Sequence, residues 1–199
     1  MHESTFPIHS PPDPVALPGL AHPVPAPFRP RELALALLGL LALGGAAALG
    51  GPAMGPGLRL IPSVLLVELP ALGLTAPALI AAHQFLRLGA APEQLAAALG
   101  RALIHAGRVA GGLAVVVLFF AATTRLATPM LAVALAGVGV FTSATACVEL
   151  TAVERRAART VAPAFTLLLI GWLSLSWLVA LRVGADVAMW VLGYGGMRA

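Results

Sequence analysis

The chain has 199 residues, 59% of them hydrophobic and only 10% charged, with a mean hydropathy of +0.94. That composition lies far outside the range of a water-soluble domain, and five long apolar runs define an all-α, polytopic membrane helix bundle. The net charge of +4 comes from arginine with no lysine at all. These arginines are scattered between the apolar runs rather than gathered into a patch, which argues against a nucleic-acid partner.

Residues 1–31 form a regime of their own, carrying nine of the seventeen prolines before position 31. Proline fixes φ and removes a hydrogen-bond donor, so an extended cytoplasmic tail is expected. Its histidines His2, His9 and His22 lack metal-ligand spacing. Arg29 and Arg31 then precede a first apolar run, Leu33–Met54. The run imitates a secretory signal, with Ala46 and Ala48 in an Ala-x-Ala pattern. The long preceding tail and the continuation of the run favour an uncleaved span.

The second run, Leu60–Ala82, contains Pro62, Pro70, Gly73 and Pro77, and is expected to be broken or bent. His83 and Gln84 close it as headgroup-level anchors. After a glycine-containing turn, Pro92 and Glu93 suit the first turn of a new helix. A short amphipathic helix is expected near 92–108, with Arg101, His105 and Arg108 on one stripe and Leu95, Leu99 and Leu103 on another. The stripe is predicted to lie against the interface and meet anionic lipid headgroups. A third span would run from about Leu103 to Thr124, with Arg108 snorkelling outward.

The fourth run, Pro129–Val148, leads into the charged stretch TAVERRAART, and Pro163–Leu181 is the fifth. The bundle thus covers 32–184, and 185–199 reads as a short interfacial segment with Trp190 and Tyr194. With five spans, eight arginines fall on the side of the N-terminus and four on the other. The positive-inside tendency then places the N-terminus in the cytoplasm and the C-terminus outside. The single cysteine, Cys147, excludes an intrachain disulfide.

Glu68 is the sharpest candidate for chemistry. A carboxylate at the centre of a span costs about 2.5–3.5 kcal/mol on insertion scales, so it faces other helices or water and has a partner. One reading makes it a proton or cation site in a broken helix. The other, favoured reading makes it a hydrogen-bonded link to Thr142, Ser143 or Thr145, or to Ser174 or Ser176. Gly107 with Gly111, and Gly139 with Ser143 and Cys147, set small residues on single faces that permit close helix packing. No catalytic, nucleotide-binding or metal motif is present, so neither an enzyme nor a cofactor is expected.

From Val64 to about Leu173 the chain resembles bacterial Yip-like membrane proteins. The carriers are VELPALGLTAPALIAAHQFLRLGAAPEQL, a proline-containing span that passes through a glycine turn to an amphipathic helix, followed by two spans and a charged linker. The resemblance implies five spans, a cytoplasmic N-terminus, a place in the bacterial inner membrane and a scaffold or accessory role, with no catalytic residue. The expected function is a non-enzymatic membrane scaffold or accessory subunit. It would bind lipids and other membrane proteins, or further copies of itself. The alternative is a small ion- or proton-coupled transporter or channel subunit centred on Glu68.

Overall fold

A computed structural model describes residues 29–49, 58–124, 126–158 and 160–191. They form five helices: α1 Pro30–Ala48, α2 Leu60–Phe85, α3 Pro92–Thr123, α4 Ala127–Ala158 and α5 Pro163–Val191. Each is long and apolar enough to cross a membrane, and no strand occurs among the described residues. Leu35, Leu38, Phe119, Val133, Leu167 and Leu178 are exposed on the outside of the bundle. A surface that apolar matches lipid as its surroundings, as expected of an integral membrane protein. Most of the proline-rich tail and Tyr194 lie outside the described residues.

Three helices extend ten residues or more beyond the apolar runs that announce them. α3 is one uninterrupted 32-residue helix, about 48 Å long, so the expected amphipathic helix is its first half and not a separate element. Leu95, Leu99 and Ala102 are buried there against Ala146, Leu150 and Val153 of α4, which holds this half upright in the bundle. As expected, Pro92 and Glu93 occupy its first turn. α4 continues to Ala158, and α5 runs on through Arg182 and Asp186 to Val191.

α2 also differs from expectation. Pro70 and Pro77 sit inside it, yet the helix is continuous over 26 residues. Packing against its neighbours carries the helix through both prolines, and α5 bonds to it between them. Trp172 Nε1 of α5 donates to the Thr75 carbonyl at 3.1 Å, and Thr75 Oγ1 meets Ser176 Oγ at 2.9 Å. Its buried positions Leu60, Val64, Glu68, Ala71, Thr75, Leu79 and His83 recur every three or four residues, forming one inner face.

α1 is seated by backbone-to-backbone contact. A Cβ on Gly39 would collide with the Gly107 carbonyl, one on Gly107 with the Ala36 backbone, and one on Gly44 with the Leu60 and Ile61 carbonyls. The expected small-residue face of α3 is therefore real at Gly107. Gly111 is looser, with the Gly39 Cα 3.6 Å from where its Cβ would stand. One core cluster gathers Leu40, Leu43, Val64, Ala110, Val117 and Val138; a second, towards the charged end, gathers Leu79, Leu95, Leu99, Leu150, Phe165 and Trp172.

The α2–α3 turn places its positive φ at Arg87 (51°), not at the glycine. Leu88 N donates to His83 O and Arg87 N to Gln84 O, the paired pattern of a Schellman cap. Gly89 serves close approach instead, since a Cβ there would lie 2.9 Å from the Ala158 Cβ. Arg87→Gly is expected to raise stability by about 0.5–1 kcal/mol in detergent unfolding titrations, relieving left-handed strain. Gly89→Ala should lower it.

Candidate functional site

α5 is the loosest member of the bundle. It packs along α2, and its buried residues are Phe165, Leu169 and Trp172, all in its first half. Against α4 its backbone contact is slight. Between α4 and the second half of α5 lies a groove of about 360 Å³ with α2 as its floor. The walls mix small and bulky apolar residues: Ala132, Ala136 and Gly139 stand beside Leu131 and Leu135 on α4, and Ala180, Gly184 and Ala188 beside Trp177, Leu181, Val187 and Val191 on α5.

Glu68 stands at the inner end of this groove, 6% exposed. It also borders a second, smaller cavity of about 40 Å³, lined by Thr142, Ser143, Trp172, Ser176 and Trp177. Gly139 sits where the two spaces meet. A Cβ on it would lie 3.3 Å from Trp177 Cη2 and 3.9 Å from Glu68 Oε1. Gly139 and Ser143 thus belong to the wall of this site and not to a tight helix contact. Trp177 Nε1 donates to Ser143 Oγ at 3.1 Å, fixing the indole across the join.

The expected hydrogen-bonded link from Glu68 to a hydroxyl does not form. Among the described residues no hydrogen bond or ion pair reaches its carboxylate. For three of the five expected partners the reason lies in the hydroxyls themselves. Thr142 donates to Val138 O at 2.8 Å, Ser174 to Ile170 O at 2.9 Å and Ser176 to Trp172 O at 2.9 Å, each saturating a carbonyl one turn back. A carboxyl left without a donor in apolar surroundings can hold a proton, or pair with a cation or donor brought from outside.

The basic stripe of α3 is divided. Arg101 Nε donates to Glu149 Oε2 of α4 at 2.8 Å, a half-exposed pair rather than a free headgroup ligand. His105 is partly exposed and Arg108 exposed, neither with a described side-chain partner. Nothing in the arrangement distinguishes His105 beyond its place on the stripe.

His83 is not a headgroup anchor. It is 0% exposed and its Nε2 lies 2.9 Å from Glu154 Oε2, with Phe165 edge-on to the ring. Gln84 Nε2 reaches His83 Nδ1 at 3.3 Å and also donates to Ala90 O at 3.2 Å. With the Gln84 amide facing Nδ1, Nε2 is the ring nitrogen placed to donate to the carboxylate. Glu154, 1% exposed, further accepts from Gly89 N at 3.0 Å and Ala90 N at 3.1 Å. One carboxylate thereby ties α4 to the end of α2 and to the turn into α3.

Sequence reasoning passed over Glu154 because it read the stretch ERR as a charged exit. Helical spacing held the signal: Glu154 follows Ala146 and Leu150 at four-residue steps on a buried face. No protein-family model, curated protein or solved structure matches the chain.

Proposed function

We propose that this is a non-enzymatic membrane scaffold or accessory protein that binds other membrane proteins through the groove between α4 and α5. The observation that supports the reading is an apolar groove in which two stripes of small residues, Ala132–Ala136–Gly139 and Ala180–Gly184–Ala188, run among larger apolar side chains. Helices associate in lipid by close packing, and small residues are what let backbones approach. The Yip-like resemblance over Val64–Leu173 points to the same role. The proposed setting is the bacterial inner membrane with the arginine-rich end in the cytoplasm, where anionic headgroups would meet the exposed basic residues.

A photo-crosslinking side chain at Ala136 tests this in native membranes. Protein adducts that disappear when Gly139→Leu fills the groove are the expected result. Adducts to lipid alone would contradict it.

A second reading has its own observation, the small cavity where Glu68 meets the Thr142, Ser143 and Ser176 side chains. This suits a proton or monovalent cation site in a transporter or channel subunit. Proteoliposomes containing Glu68→Gln decide it. That reading expects pH-dependent ion flux in the parent protein and its loss in the variant, whereas the scaffold reading expects no flux in either.

A further inference from the structure

Away from the first and last turns of the helices, two opposite charges lack a partner among the described residues: the carboxylate of Glu68, in a buried residue, and the exposed guanidinium of Arg108. The other arginines away from those end turns, and Arg59 at the start of α2, have partners. Arg101 pairs with Glu149, Arg182 with Asp186 at 3.4 Å, and Arg59 donates to Trp190 O at 3.0 Å and lies over its ring.

The two orphans lie at neighbouring depths. Arg101 of α3 meets Glu149 of α4, and these helices run antiparallel. Seven residues along α3 from Arg101 lies Arg108, and seven back along α4 from Glu149 lies Thr142. Both steps climb about 10 Å from the same contact. Arg108 is therefore level with Thr142 and about 5 Å short of the level of Gly139, within the reach of an arginine side chain; both residues border the Glu68 site. Copies inserted the same way round in a bilayer keep every residue at its own depth. Hence Arg108 of one copy arrives within a side chain's reach of the depth of Glu68 in its neighbour.

Shape agrees with charge. Gly112 lies one turn beyond Arg108 on the exposed face of α3, and no neighbouring atom comes within 4 Å of its Cβ position. A helix face with glycine beside the long side chain can come close to a stripe of alanines and glycine while the arginine reaches inward. We infer that the groove takes a second copy of this chain, with Arg108 of one protomer pairing with Glu68 of the next. The inference rests on reading the groove as a protein-docking surface and names its occupant. Knob and socket are different patches, so the contact is heterologous and propagates to a ring or chain.

A complementation experiment tests it in membranes of the full-length chain carrying Cys147→Ala. One copy carries Gly112→Cys with Glu68→Gln; the other, separately tagged, carries Ala136→Cys with Arg108→Gln. Each copy alone lacks half of the ion pair. Together they retain one intact Arg108–Glu68 contact, which brings the two cysteines level across the interface. Oxidation should give a mixed disulfide dimer at least about tenfold more abundant than in the reversed arrangement. There Gly112→Cys travels with Arg108→Gln, and Ala136→Cys with Glu68→Gln. Equal dimer in both arrangements, or none in either, overturns the inference. If dimer is absent while the Ala136 photo-crosslinker still captures a different protein, only the choice of occupant fails. If that crosslinker captures lipid alone, the docking reading fails with it.

Discussion

Gly107→Ala is expected to destabilise the bundle by about 3 kcal/mol, the upper range for overpacking, because the added methyl meets main chain and not a movable side chain. The Ala36 carbonyl, Cα and carbonyl carbon all lie where that methyl would go. Relief requires α1 as a whole to withdraw from α3, and Gly39 would lose its seat in the same movement. Neighbouring glycines supply internal controls. At Gly111 the nearest atom is 3.6 Å away, so alanine should cost under about 1 kcal/mol. At Gly112 the space is open, and alanine should stabilise the helix by about 0.5–1 kcal/mol through reduced backbone entropy in the unfolded chain. SDS-titration unfolding in detergent micelles measures all three. Equal effects at the three positions would show that α1 is not seated on Gly107.

Glu154→Ala is expected to cost about 3–5 kcal/mol, since one substitution strips the acceptor from three donors. His83 Nε2, Gly89 N and Ala90 N all point at this carboxylate from 2.9 to 3.1 Å. Glu154→Gln should fall between the parent and the alanine variant. Its amide turns one of two acceptor positions into a donor, opposing at least one existing N–H. Hydrogen exchange locates the damage: Gly89 and Ala90 amides should exchange faster while those of Ala110 and Val138 stay protected. If Glu154→Ala unfolds with parental stability, the network contributes nothing and the turn is held by packing alone.

The membrane class and the five helices were legible because burial in lipid demands long apolar runs, and such runs leave a direct mark on composition. Glu68 was equally visible, as the lone acid in an apolar stretch, and so was Gly107 through its spacing to Gly111. The partner expected for Glu68 was misjudged for a local reason. Hydroxyls on helices bond back to their own carbonyls, so proximity of Thr142 or Ser176 does not make either a donor to the carboxylate. His83 looked like an anchor because it ends an apolar run, but its neighbour Leu79 one turn earlier is also buried, and the face continues through it. The groove had no signature before folding. Its small residues form two ordinary stripes among larger apolar side chains, and only the slight contact of α5 with α4 leaves a gap for them to line.

Prolines in α2 illustrate a related limit. Local chemistry predicts interruption at Pro70 and Pro77, and tertiary surroundings overrule it. The extension of α3 back to Pro92 follows the same logic: a stretch judged by its charged stripe was captured by its apolar one.

Cysteine accessibility in intact cells tests most directly whether five helices cross the membrane with the arginine-rich end inside. Single cysteines would replace Arg31, Leu58, Arg87, Thr124, Val133 and Arg155 in turn, each in the Cys147→Ala background. A membrane-impermeant maleimide should label positions 58 and 124 in intact cells and positions 31, 87 and 155 only after lysis. Position 133 should resist labelling in both until detergent is added. Labelling of positions 31 and 58 from the same side, or of position 133 without detergent, would contradict the arrangement on which the groove and its docking role depend.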